Sequence, residues 1–374
     1  MLKLGGKKRR AINLALQGGG VHGAFTWGVL DRLLEGDSQL DFAWISATSA
    51  GAVNAAALVS GLAEDGPAGA RRTLRAVWEA VQEAGVPDLM RFYPFLRTLG
   101  RPPLGSVTSI WSPYDFNPLG FDPLRRILEA QIDFEQVRKY ASVELLIAAT
   151  DVATGDKRLF RRAELTVEAV LASACLPTIH HAVEIDGRAY WDGGFSANPD
   201  LVTLAAESPA ADTLLVLLNP VEQPGVPRTA REIANEVNRI TFNQPLRRDV
   251  ELLEAARSIQ PRWWRSARTT GERMARHRFH LVEAGHHTSV LPAESKVQPD
   301  RTVISRLFLA GAAEAGKWLE RHGKQVGRSE TVDLPAYFRK AASEILPTSE
   351  AVVPEPDETA TADLDQHAEV PGGR

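Results

Sequence analysis

Three short stretches of this chain carry residue types that do chemistry. The first is Gly18-Gly19-Gly20-Val21-His22-Gly23, between an apolar run and a helical pattern. Consecutive glycines let several backbone N–H groups point into one small space, and a helix N-terminus adds the positive end of its dipole. That arrangement suits an oxyanion. The same residues fit G-x-G-x-x-G, which binds a dinucleotide when an acid stands at the end of the next strand. Here that strand ends Ser46-Ala47-Thr48-Ser49, and Asp37 and Asp41 precede it. A nucleotide-binding oxidoreductase therefore lacks its second element. A tight turn without a ligand is the third reading, although three glycines in a row are costly in backbone entropy.

The second stretch is Ala47-Thr48-Ser49-Ala50-Gly51. Small residues flank the serine as in the G-x-S-x-G turn that presents a nucleophile between a strand and a helix. A packing turn of small residues reads the same way. The third is Trp191-Asp192-Gly193-Gly194, where an aspartate ends a strand-like segment and two glycines let the chain turn beneath it. Asp-Gly is also common in ordinary turns. A serine nucleophile needs a base. His22, His180, His181, His277, His280, His286 and His287 are all available by residue type. The order Ser49, Asp192, then His286 or His287 is that of an α/β-hydrolase, but the elbow comes early, after the second strand, directly behind the glycine loop.

The elements that must position these residues are legible from periodicity. Ala11–Gln17 and Phe42–Ala47 read as buried strands. Gly23–Glu35, Ala50–Leu62 and Arg71–Glu83 have helical spacing. Strand, helix, strand, helix predicts a parallel sheet with helices on both faces. Further on, Leu124–Ile132 and Leu165–Ala174 read as helices, and Val143–Thr150 and Thr213–Leu218 as strands. Ala182–Trp191 reads as a hairpin turning at Asp186-Gly187. Thr229–Arg278 is mostly helical and polar, Phe279–Val282 is a last strand, and Val303–His322 is an amphipathic helix. Val86–Pro123 is rich in proline and aromatics with little periodicity, a pattern of lids, binding walls or long surface connections.

With the three motifs in this order, the chain resembles the patatin-like phospholipase family. The matching pieces are Gly18–Gly23, Thr48-Ser49-Ala50-Gly51 and Asp192-Gly193-Gly194, with Ala172–Pro177 and Asn198-Pro199 similar as well. The resemblance covers Ala11 to Pro220, and Ala47 stands where the family usually has glycine. It implies a three-layer α/β/α sandwich with a central, mainly parallel sheet. It also implies a serine acyl hydrolase of lipid or phospholipid esters that works through a Ser–Asp dyad and needs no cofactor or metal. Ser49 would be the nucleophile and Asp192 the base. Backbone N–H groups of Gly19 and Gly20, with neighbours Gly18 and Val21, would hold the oxyanion, and Gly23, Gly51, Gly193 and Gly194 would support the turns. A carboxylesterase or polyester depolymerase on the same dyad is the alternative.

Composition bounds the rest. The 374 residues are 44% hydrophobic and carry a net charge of −4, enough for a substantial core. The one cysteine, Cys175, excludes an intramolecular disulfide and a cysteine metal cage, and His286-His287 lacks a third ligand at a convincing sequence spacing. No run is long and apolar enough to span a membrane, and the N-terminal apolar run is too short for a signal peptide. The expected residence is cytoplasmic. The arginines between Arg257 and Arg278, interleaved with Trp263-Trp264, suit either a solvated helical face or an anionic membrane surface. They would suit nucleic acid too, but the expected partner is a lipid or ester substrate. Four segments are expected: a basic extension (1–10), the catalytic core (11–220), a helical C-terminal region packed on it (221–343), and an acidic, disordered tail (344–374).

Overall fold

Apolar runs of five to nine residues, bounded by turn residues, become strands here because they are buried on both faces. The computed structural model describes residues 9–36, 38–91, 112–118, 120–223, 225–259, 269–291 and 293–343. One sheet runs through it, in the order β5-β6-β3-β2-β1-β7-β8, with β4 also paired to β3. Five strands are mutually parallel: β1 (Arg10–Leu16), β2 (Leu40–Thr48), β3 (Glu144–Asp151), β7 (Asp212–Leu217) and β8 (Arg278–Glu283). Strands β4 (Lys157–Arg161) and β6 (Arg188–Asp192) run antiparallel to β3, and β5 (Val183–Ile185) pairs antiparallel with β6.

Strand side chains alternate between the two faces, and the packing follows that period. Leu14 and Leu16, Leu145 and Ile147, and Leu214 and Val216 join one cluster. Helix α1 (Gly23–Leu33) and the long helical run α2 (Ala50–Arg91) pack there, with the helix Arg301–His322. Ala15, Leu146, Leu215 and Leu217 join the other, with the helices Val202–Glu207, Ala230–Ile259 and Leu334–Ser343. The result is the three-layer α/β/α architecture that the resemblance implies. Gly28 of α1 lies against the Phe308 carbonyl, and Gly311 against the Phe25 carbonyl, so α1 and Arg301–His322 cross at backbone distance.

Two helices were expected between Ala50 and Glu83, and α2 reconciles them. Gly66 within it has φ +57°, and Gly61 approaches the Gly69 and Ala70 backbone. Residues eight apart on a straight helix cannot touch, so the run turns back on itself there. The hairpin turn at Asp186-Gly187 is as expected, with φ of +51° and +76°. Strand β4 has no counterpart among the expected elements. Its sequence, KRLFR, has no apolar run and forms because β3 offers it an edge. Strand β8 places part of the C-terminal region inside the sheet itself. Most of the aromatic stretch (92–111), residues 260–268 with Trp263-Trp264, the first eight residues and the tail from 344 lie outside the described residues. No helix among the described residues is long and apolar enough to cross a membrane.

Candidate active site

The connection from β1 leads through α1 to β2 on one side, while β7 flanks β1 on the other. The carboxyl ends of β1 and β7 therefore border a topological switch point, where α/β sheets form crevices, and β2 ends beside it. Gly18–Val21 follows β1 there, and Ser49 follows β2.

Strand pairing brings Asp192 to the same place. Strands β2 and β4 both pair with residues 146–148 of β3, so they hold opposite edges. Strands β4 and β6 both pair with 149 and 150, so they too hold opposite edges. It follows that β2 and β6 share one edge of β3 and meet end to end. Thr48 ends β2 opposite Ala148, and Asp192 ends β6 opposite Ala149. The two chains then turn off the sheet beside each other.

Ser49 has φ +55°. A side chain in the left-handed region is held there at a cost of order 1–3 kcal/mol, and such strain clusters at functional sites. The surroundings hold it. Its N–H donates to the Ser173 hydroxyl at 2.9 Å, and helix α2 begins at the next residue. The Thr48 hydroxyl donates to the Ala197 carbonyl at 2.7 Å, tying the elbow to the loop after Asp192. Two close backbone approaches require glycine. A Cβ on Gly51 would stand 2.3 Å from the Leu16 carbonyl oxygen, and one on Gly193 would stand 2.1 Å from that of Ala148. Gly23 lies against Ala50, and Gly194 against the Phe242 ring. Ala47 is fully buried within β2, between Leu16 of β1 and Ile147 of β3, so its methyl group joins the core.

The Asp192 carboxyl is entirely buried. Its Oδ1 accepts the Gly194 N–H at 2.8 Å, and its Oδ2 has no partner at hydrogen-bond length. Burial pushes this carboxyl up to about 7, and the Gly194 N–H and the neighbouring Ser49 hydroxyl pull it partly back. Its backbone is anchored by N–H donation to the Cys175 carbonyl and by acceptance from the Thr150 hydroxyl, both at 2.8 Å.

The glycine loop corrects one expectation. The Gly18 N–H donates to Asn198 Oδ1 at 2.8 Å, so it is unavailable to an oxyanion. Gly18 instead packs on Ser49, whose Cβ is 2.8 Å from where its own Cβ would be. The N–H groups of Gly19, Gly20 and Val21 enter none of the described backbone hydrogen bonds, and all three residues line a cavity of about 490 Å³ with Ser49 and Asp192.

The histidines make other contacts. Burial pushes His22 down to about 3, and its Nε2 shares a 2.8 Å hydrogen bond with Ser295. His180 lines the cavity but accepts the Leu176 N–H, while His181 stacks on Tyr114. His277 bonds Thr213 and His280 bonds Asp212. The fold does supply what sequence spacing withheld from His286-His287, because Glu314 brings a carboxylate to within 4.8 Å of both rings. That carboxylate also pairs with Lys317 at 2.8 Å. Two of the arginines that would suit either a solvated face or a membrane surface are committed to the fold, Arg278 to Asp212 and Arg257 to the His277 carbonyl and Glu330. The sequence motifs contain Thr48 and Ser173 but assign no role to either hydroxyl, and Thr150 lies outside them. A lone hydroxyl residue carries no pattern that marks it.

A model of the patatin-like phospholipase family matches residues 14–205. The chain belongs to that family. Membership supports lipid acyl hydrolysis as the general activity of this patatin-like protein. Among solved structures it is similar to VipD from Legionella pneumophila, at 12% identity and a TM-score of 0.39, over 83% of this chain and 67% of that one. It is also similar to the type III effector ExoU, at 13% identity and a TM-score of 0.30, over 83% and 54%. ExoU in its complex with SpcU, from Pseudomonas aeruginosa, gives 13% and 0.28, over 84% and 52%. The patatin-like chain thus spans about half the length of ExoU. No curated protein sequence matches it.

Proposed function

We propose that this protein hydrolyses acyl esters of lipids through a Ser49–Asp192 dyad and an acyl-enzyme intermediate. The observation that carries the proposal is that a serine at φ +55° and a buried aspartate held near 7 line the same cavity. An aqueous aspartate near 3.9 is a feeble base toward a hydroxyl, whereas a base near the working pH is well matched to take its proton.

Asp192 accepts the Ser49 proton as the hydroxyl oxygen attacks the acyl carbonyl. The N–H groups of Gly19, Gly20 and Val21 stabilise the resulting oxyanion, a contribution of about 10²–10³ in rate per donor in comparable sites. Protonated Asp192 then gives its proton to the departing alcohol. Water, deprotonated by the same carboxylate, attacks the acyl-enzyme, and Asp192 returns that proton to the Ser49 oxygen as the free acid leaves. The acyl chain lies along the apolar part of the cavity, formed by Val53, Trp78, Val81, Leu124 and Ile179. The segments 11–220 and 221–343 act together in this reading, because Phe242 and Lys296 line the same cavity as Ser49.

The test is turnover of nitrophenyl esters of increasing chain length by wild type, Ser49→Ala and Asp192→Asn, each checked for folding by circular dichroism. Loss of turnover in both folded variants is expected. The chain-length profile then separates a lipase from a short-chain esterase. A folded Ser49→Ala variant that keeps its rate refutes the proposal.

A further inference from the structure

The cavity has a second chemical character that the acyl reaction does not use. Opposite in nature to its apolar part, it is lined by Asn219, Asn235, Asn238, Lys296 and Gln298. Lys296 is the cation among them. Its ammonium donates to Asn219 Oδ1 at 2.7 Å, and Asn219 Nδ2 donates to the Gly18 carbonyl at 3.3 Å. One residue therefore separates this charge from the glycine loop. The backbone agrees: the Lys296 carbonyl oxygen lies 2.1 Å from where a Gly20 Cβ would be, so the turn Ala293–Lys296 rests on the loop.

Among the described residues, no carboxylate pairs with Lys296. The nearby Arg239 is already matched to Glu236, by hydrogen bonds of 2.6 and 3.0 Å. His22 is neutral at physiological pH and bonded to Ser295. Burial, with Arg239 nearby, brings the Lys296 amine down to about 8, which leaves it mostly protonated at neutral pH. A part-buried ammonium with no described counter-charge gains stability when an anion completes its shell. The cavity is where that partner would enter.

We propose that Lys296 and Asn219 form an anion subsite that selects acyl esters carrying a negatively charged oxyacid group, a phosphate or a carboxylate, on the alcohol side of the scissile bond. The apolar part takes the acyl chain and the amide-and-lysine part takes the charged leaving group, with Ser49 between them. The assignment rests on the Ser49 reading for its orientation, but its binding test is independent of turnover.

Three soluble hexanoyl esters, differing only in whether the alcohol carries a phosphate, a carboxylate or a neutral hydroxyl, are compared by kcat/KM. Wild type prefers at least one charged ester, and Lys296→Met lowers that charged-to-neutral ratio by about tenfold or more, the scale of a lost charge-assisted hydrogen bond. Lys296→Arg retains part of the preference. The arm that shows the preference identifies phosphate or carboxylate. In parallel, calorimetry measures inorganic phosphate and acetate binding to Ser49→Ala and to Ser49→Ala with Lys296→Met. One anion binds the first protein and binds the second at least tenfold more weakly. The subsite is overturned if neither anion shows Lys296-dependent binding, or if Lys296→Met slows all three esters alike. Lys296-dependent binding alongside a fully active Ser49→Ala enzyme keeps the subsite and refutes the dyad instead.

Discussion

Replacing Asp192 by asparagine should stabilise the protein at neutral and alkaline pH while removing its activity. The wild-type carboxyl is fully buried and pushed up from 3.8 to about 7, chiefly by loss of solvation. In the unfolded chain it ionises near 3.8. Between these values the folded state holds a proton that the unfolded state has released, so wild-type stability falls as pH rises from about 4 to about 7 and is level beyond. At about 1.4 kcal/mol per tenfold, the full penalty is about 4 kcal/mol above pH 7. An amide carries no charge and fits the same contacts. Its oxygen accepts the Gly194 N–H, and its NH2 occupies the place of Oδ2, which has no partner at hydrogen-bond length. Urea unfolding of wild type and Asp192→Asn at pH 4 and pH 8 measures the effect. The gain should be small at pH 4 and reach up to about 4 kcal/mol at pH 8. An equal gain at both pH values, or a variant less stable than wild type at pH 8, refutes the picture of a buried, reluctantly ionised base.

Further outcomes follow from the same geometry. The kcat/KM for a neutral ester should rise as pH passes through about 7, where Asp192 loses its proton and becomes competent as a base; a profile flat from pH 6 to 8 contradicts the assignment. Gly51→Ala forces a methyl group to within 2.3 Å of the Leu16 carbonyl oxygen, so β1 or α2 must shift. Thermal melts should show a loss of about 1–3 kcal/mol, and unchanged melting counts against the close approach. Cys175 is buried, and its thiol is pushed up to about 12. It should react with an aromatic disulfide reagent only after denaturation, and rapid labelling of the native protein would show the packing there to be wrong.

The sequence by itself determined the strands that carry the site and the kind of chemistry available. Residues 11–17 and 42–47 are apolar runs too short for helices, and glycines or small residues punctuate their ends, so local pattern alone places Gly18–Gly23 and Ser49 at strand-to-helix turns. The hairpin at Asp186-Gly187 was legible for the same reason: its turn chemistry is local. What local pattern does not contain is which strand edges meet. Asp192 stands 143 positions after Ser49 in the chain, and they converge because β2 and β6 share one edge of β3 and end at Ala148 and Ala149. Nor does a motif show which backbone donors are already used: the three glycines look equivalent in sequence, yet Asn198, 180 positions on, takes the N–H of Gly18. Strand β4 and the roles of the Thr48, Thr150 and Ser173 hydroxyls were invisible because they depend on partners far along the chain. Lys296 is likewise an ordinary lysine in sequence; only tertiary packing sets its ammonium beside the glycine loop, out of reach of any described carboxylate. Short-range periodicity reports the elements, because backbone hydrogen bonding and side-chain period are local. Pairing, burial and the raised pKa of Asp192 belong to the assembled fold, because they arise between residues the chain separates.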